Sequence, residues 1–123
     1  MKLLIDTHII IWFVLDDKRL SNGQREALLD PNSQLLLSPV VAYEFTQLQA
    51  TGRSPVDEPI DRLRGLLGMT AVDLPSDCWR MVVDLPDIHR DPVDRMLIAH
   101  ALIGGFTLVT ADRNIRSYAV PTI

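Results

Sequence analysis

Lys2-Leu3-Leu4-Ile5-Asp6-Thr7-His8 begins the chain, and its reading decides the fold. The short continuous apolar run reads as a fully buried strand over residues 2–6. Asp6 closes that run where the chain must turn. Thr7 is placed to cap the following helix, whose apolar body runs from Ile9 to Leu15. Asp16-Asp17-Lys18 ends that helix in a polar turn. The same unit of buried strand, polar junction and helix returns along the chain.

Ser21 is an N-cap for a helix over 22–30, which Asp30-Pro31-Asn32 terminates. Residues 34–38 form the second strand. Ser38-Pro39 then sets a cap before a proline at the first helical position, and the helix carries Val41, Glu44, Phe45 and Leu48. A loop over residues 51–55 leads to a helix over 57–67 with Ile60, Leu63, Leu66 and Leu67 inward. Thr70 to Leu74 reads as a third strand, and a short helix after Pro75 turns Trp79, Val82 and Val83 inward. Asp91-Pro92 repeats the cap-then-proline pattern for a helix over 92–103, which stops at Gly104-Gly105. Residues 106–110 form a fourth strand, and Tyr118 to Ile123 a short edge strand, where Pro121 is tolerated. This alternation predicts an α/β fold: a mostly parallel central sheet with helices on both faces.

With 123 residues the chain is most simply one domain over 1–123. Its 47% hydrophobic content excludes a disordered chain. A net charge of −4 argues against a broadly basic nucleic-acid surface but leaves room for a local strip. Ten of the 12 basic residues are Arg, whose planar fork suits phosphate. Cys78 has no partner for an internal disulfide, which fits a reducing, cytoplasmic compartment, and its setting beside Trp79 reads as core. The N-terminal apolar stretch lacks a small-residue cleavage site, which argues against a signal peptide. No run approaches the roughly 18 apolar residues of a membrane span.

The chemistry is carried by Asp6, Glu44, Asp94 and Asp112. Each follows a strand end or sits near a helix start. At such places in an open α/β sheet, carboxylates converge on one crevice. Four converging charges repel unless a cation lies among them, and oxygen ligands favour Mg²⁺ or Mn²⁺. Taken singly, Asp6 and Asp112 also read as turn or cap residues. Asp91 reads as the N-cap of its helix, with Asp94 at a capping-box position. Asp94 is assigned to the metal site and Asp91 to structure or the outer shell, with Thr7, Arg95 and Thr110 as further outer-shell or substrate candidates. His8, His89 and His100 show no ligand spacing and read as surface or packing residues. A glycine-rich phosphate loop and a Ser/His/Asp or Cys/His nucleophile are both absent.

Asp6-Thr7-His8, Glu44 after Ser38-Pro39, the run from His89-Arg90-Asp91-Pro92-Val93-Asp94 to Ala99, and Thr110-Ala111-Asp112 together resemble PIN-domain motifs. They are most similar to the VapC-type toxins of type II toxin–antitoxin systems. The resemblance spans essentially the whole chain and implies a three-layer α/β/α sandwich. It implies Mg²⁺- or Mn²⁺-dependent endoribonuclease activity, with Asp6, Glu44, Asp94 and Asp112 as the acidic quartet. It also implies homodimerisation, an RNA substrate and a cognate VapB-like antitoxin. RNA contacts are expected from Arg53, Arg95, Arg113 or Arg116. Many relatives carry a Lys about four residues beyond the glutamate, where this chain has Leu48 and Gln49.

Two other readings compete. A phosphatase of the haloacid dehalogenase type also places Asp after its first strand, but needs a second Asp where this chain has His8. A catalytically silent PIN-like module would bind a partner only; the four filled acidic positions count against it.

Overall fold

A computed structural model describes residues Met1–Ile123. Four parallel strands form one sheet: β1 (Lys2–Ile5), β2 (Gln34–Leu37), β3 (Thr70–Ala71) and β4 (Thr107–Val109), in the order β3-β2-β1-β4. Between β1 and β2 run α1 (Thr7–Val14) and α2 (Asn22–Leu29). Between β2 and β3 run α3 (Pro39–Ala50) and α4 (Ile60–Leu67). Between β3 and β4 run α5 (Cys78–Asp84) and α6 (Pro92–Gly104), and α7 (Arg113–Arg116) follows β4. The first two crossovers step one way along the sheet, and the third returns past β1. Right-handed crossovers that run in both directions along the sheet place helices on both of its faces. The result is an α/β/α sandwich with an all-parallel sheet, and burial of Leu3, Leu4 and Ile5 in succession is what two covered faces require.

The core is aliphatic around Phe45, with Leu3, Leu4, Leu36, Leu97, Ile98 and Leu108 fully buried. Several helix ends match their sequence signals. Ser21 and Gln24 complete a capping box on α2, Ser38 Oγ accepts from the Val40 N–H, and Gly105 closes α6 at φ +67. Cys78 is buried, as its apolar setting predicts.

Other expectations need correction. The cap of α1 is Asp6, whose carboxylate accepts from the Thr7 N–H, and not Thr7. The helix predicted from residue 57 starts at Ile60, because Pro59 restricts Glu58 to extended backbone. Leu66 lies off the Ile60–Leu63–Leu67 stripe and is exposed. The strand predicted over 70–74 is only two residues long, a sheet edge with one neighbour. Trp79 and Val83 face solvent, because the short α5 packs through Cys78 and its half-buried neighbours Met81 and Val82. The C-terminal tail makes one isolated bridge, Leu108 to Thr122, and not a strand.

Candidate active site

The strand order puts the functional residues at one edge. β1 and β4 are neighbours, yet their connections leave in opposite directions, so a crevice opens beyond their carboxyl ends. Asp6 leaves β1 there, and Thr110 and Asp112 leave β4. Glu44 reaches the same edge from the second turn of α3, and Asp94 from the first turn of α6.

A cleft of about 260 Å³ results, lined by Asp6, Glu44, Asp91, Asp94 and Asp112 together with His8, Trp12 and Ala111. Oxygens of Asp6, Glu44 and Asp94 lie within 4.8 Å of one another. A second set, His89, Asp94 and Asp112, meets the same limit and shares Asp94 with the first. The quartet expected from the sequence is therefore brought together.

Asp6 is buried and held at both oxygens. The Thr7 N–H donates to Oδ1 at 2.8 Å, and Thr110 Oγ1 donates to Oδ2 at 2.7 Å. Burial pushes its carboxyl above the usual range and the Glu44 charge adds to this, while the Thr110 and Thr7 hydrogen bonds and His8 oppose it. Asp94 is pushed up to about 7, first by burial and then by the charges of Asp6, Asp91 and Glu44, with His89 opposing. Asp112 is held below the usual carboxylate range: burial works against this, but hydrogen bonds from His89 and the Asn114 N–H outweigh it. Its Oδ1 also caps α7.

His89 is the residue that sequence reasoning missed. Its Nε2 lies 2.9 Å from both Asp94 Oδ2 and Asp112 Oδ2. Burial lowers its pKa, but the Asp112 hydrogen bond and the charges of Asp94, Asp112 and Asp91 raise it further. The only available signal was its place at the head of the Asp91–Asp94 segment. His100, by contrast, is a packing residue, with Nδ1 2.8 Å from the buried Ser38 Oγ.

Asp91 caps α6 by accepting from the Val93 N–H, but Asp94 does not complete the capping box; it turns into the cleft. Thr7 is fully buried, and its Oγ1 has no hydrogen-bond partner. Arg95 does not line the cleft. Its guanidinium donates to the carbonyls of Val82, Leu85, Pro86 and His89 and to the Tyr118 hydroxyl, so it supports the loop that carries His89. Arg116 donates to the Thr110 carbonyl, and Arg53 to Thr51 Oγ1. Leu48 packs on the core, and Gln49 donates to the carbonyls of Val56 and Glu58.

The lining residues fit a divalent cation. Five carboxylates face one cleft with no Lys or Arg among its lining residues. Ionised neighbours at that separation repel by on the order of 3 kcal/mol a pair. A hard cation removes that cost, and the carboxylate oxygens are its preferred donors.

The profile of the PIN domain matches residues 3–121. The chain belongs to the PIN domain family. This PIN domain is 27% identical to Ribonuclease VapC22 of Mycobacterium tuberculosis, over 96% of this chain and 92% of that one. Its fold is shared by VapBC2 from Rickettsia felis, solved bound to a DNA fragment from their promoter (TM-score 0.72, 16% identity, 100% and 98% coverage). It is shared also by VapBC-1 from nontypeable Haemophilus influenzae (TM-score 0.65, 18% identity, 100% and 97% coverage). The likeness to VapC-type PIN domains read from the motifs thus has independent support. No helix is long and apolar enough to cross a membrane.

Proposed function

We propose that this PIN domain is a divalent-metal-dependent endoribonuclease and the toxin of a type II toxin–antitoxin pair. The observation that carries the reading is the convergence of Asp6, Glu44 and Asp94 within 4.8 Å at the switch point of the sheet. The likeness to a ribonuclease of the VapC type supports it. Asp6, Glu44 and Asp94 would hold Mg²⁺ or Mn²⁺, with Asp112 contributing directly or through water. When bound, such a cation would supply charge neutralisation at the phosphodiester and a more acidic water.

The chain's own residues do the rest. Thr110 and the Thr7 amide fix both oxygens of Asp6, so that carboxylate is oriented before any ligand arrives. His89 tethers Asp94 to Asp112 and can give or take a proton at Nε2 beside both. Without a cation the acidic cleft repels RNA, so binding and cleavage depend on the same ion. A VapB-like antitoxin, supported by the likeness to VapBC assemblies, and self-association into a dimer complete the proposal.

The test is incubation of the antitoxin-free protein with total RNA in Mg²⁺ or Mn²⁺, beside EDTA and Asp94→Asn. Cutting that EDTA and the substitution both abolish is expected. Divalent-metal binding without cutting of any RNA would instead favour a silent binding module.

A further inference from the structure

One wall of the acidic cleft is left unused by the proposed chemistry. His8 and Trp12 stand one turn apart on α1, and both line the cleft. Their ring centroids are 6.2 Å apart, with the planes tilted by 58°. His8 is exposed, while Trp12 is half-buried and packs on the core. The Arg19 guanidinium lies 4.9 Å from the Trp12 ring centre. Asp17 accepts from Arg19 three times, from its backbone N–H at 2.9 Å, Nε at 3.1 Å and a terminal nitrogen at 2.8 Å. The Asp17 N–H in turn donates to the Trp12 carbonyl at 2.9 Å, a return made possible by the left-handed Asp16 at φ +53. A ladder of imidazole, indole and clamped guanidinium therefore leads out of a cleft whose other lining residues are carboxylates and Ala111.

This arrangement suits one component of a nucleic acid. Carboxylates repel the phosphates on either side of a scissile bond, whereas every base offers a π face that stacks regardless of charge. We propose that the His8–Trp12 wall, braced by Arg19, is a stacking subsite for an unpaired nucleobase beside the phosphodiester held at the acidic cluster. The proposal rests on the ribonuclease reading for its substrate. A base inside a duplex is already stacked on its neighbours, so the strand must be unpaired where it meets this wall. His8 and Trp12 are positioning residues, expected to act on affinity and not on the chemical step.

Trp79→Phe leaves Trp12 as the only tryptophan, so its fluorescence reports on the wall. In that background, short mixed-sequence RNA is titrated in Ca²⁺ and in EDTA, single-stranded and as matched duplex. Expected is saturable quenching by single strands in Ca²⁺ and at least about tenfold weaker quenching by duplex. By anisotropy of dye-labelled RNA, which needs no tryptophan in the protein, His8→Ala and Trp12→Leu are expected to weaken single-strand binding about tenfold, raising KM with kcat little changed. Trp12→Phe restores affinity, and melting temperatures identify any variant that fails to fold. Absent quenching, equal response to duplex, or equal affinity of Trp12→Leu and Trp12→Phe overturns the subsite. Cleavage of total RNA without quenching removes the subsite and leaves the nuclease. Quenching by single strands without cleavage removes the nuclease and leaves the subsite.

Discussion

Thr110 Oγ1 donates to Asp6 Oδ2 at 2.7 Å, joining residues 104 apart in sequence at the ends of adjacent strands. The same oxygen accepts from the Asp112 N–H at 3.1 Å, so one hydroxyl sets two members of the acidic cluster. Thr110→Val keeps the shape and removes both bonds. It is expected to cost about 1–3 kcal/mol, because a buried carboxylate and an amide lose a partner. RNA cleavage should fall at least about tenfold, with Thr110→Ser retaining both stability and activity. Urea unfolding and a cleavage assay on the three proteins check this; equal activity of the valine variant would mean Asp6 needs no such support.

Asp94 gives the metal-free protein a predictable pH dependence. Its pKa in the fold is about 7, above the ordinary 3.8. A carboxyl raised on folding contributes stability that is complete below the lower value and is lost as pH rises through the higher one. Melting temperature in EDTA should therefore fall between about pH 4 and pH 7. The full shift corresponds to about 4 kcal/mol, and residual exposure reduces this to on the order of 2. Asp94→Asn should flatten the slope and abolish cleavage, and saturating Mg²⁺ should flatten it in the parent protein. A melting temperature that rises across this range would contradict the assignment.

His89 should make cation affinity climb with pH. When protonated, it pairs with the Asp94 and Asp112 oxygens that a cation needs, and its pKa is raised above 6.5. Deprotonation releases those oxygens, so Mn²⁺ affinity is expected to increase through neutral pH. His89→Gln cannot take up the proton and should show a shallower slope. Calorimetric titrations of both proteins at several pH values decide it; identical slopes would place His89 outside the cation equilibrium.

Arg95 is expected to act through stability and not through RNA charge. Its guanidinium bonds carbonyls at the end of α5 and in the loop that carries His89. Arg95→Ala should cost roughly 2 kcal/mol, and Arg95→Lys should recover little of it, since an ammonium cannot span the same acceptors. The salt dependence of RNA binding should keep its slope, whereas loss of a phosphate contact would reduce it by about one.

Much of the architecture is written in local pattern. The apolar run Leu3-Leu4-Ile5, the Ser38-Pro39 and Asp91-Pro92 junctions and the Gly104-Gly105 stop each specify an element through sterics and capping that act within a few residues. The order of Asp6, Glu44, Asp94 and Asp112 along those elements was enough to nominate the cluster. Their assembly depended on β4 returning to lie beside β1, a pairing of residues about a hundred positions apart that no local preference encodes. That pairing sets Thr110 against Asp6, and the packing of α6 beside β4 brings His89 between Asp94 and Asp112. It also explains the misreadings. The outward faces of Trp79 and Leu66, and the use of Arg95 as a loop brace, follow from which surfaces neighbouring elements cover, a property that exists only once the chain is packed.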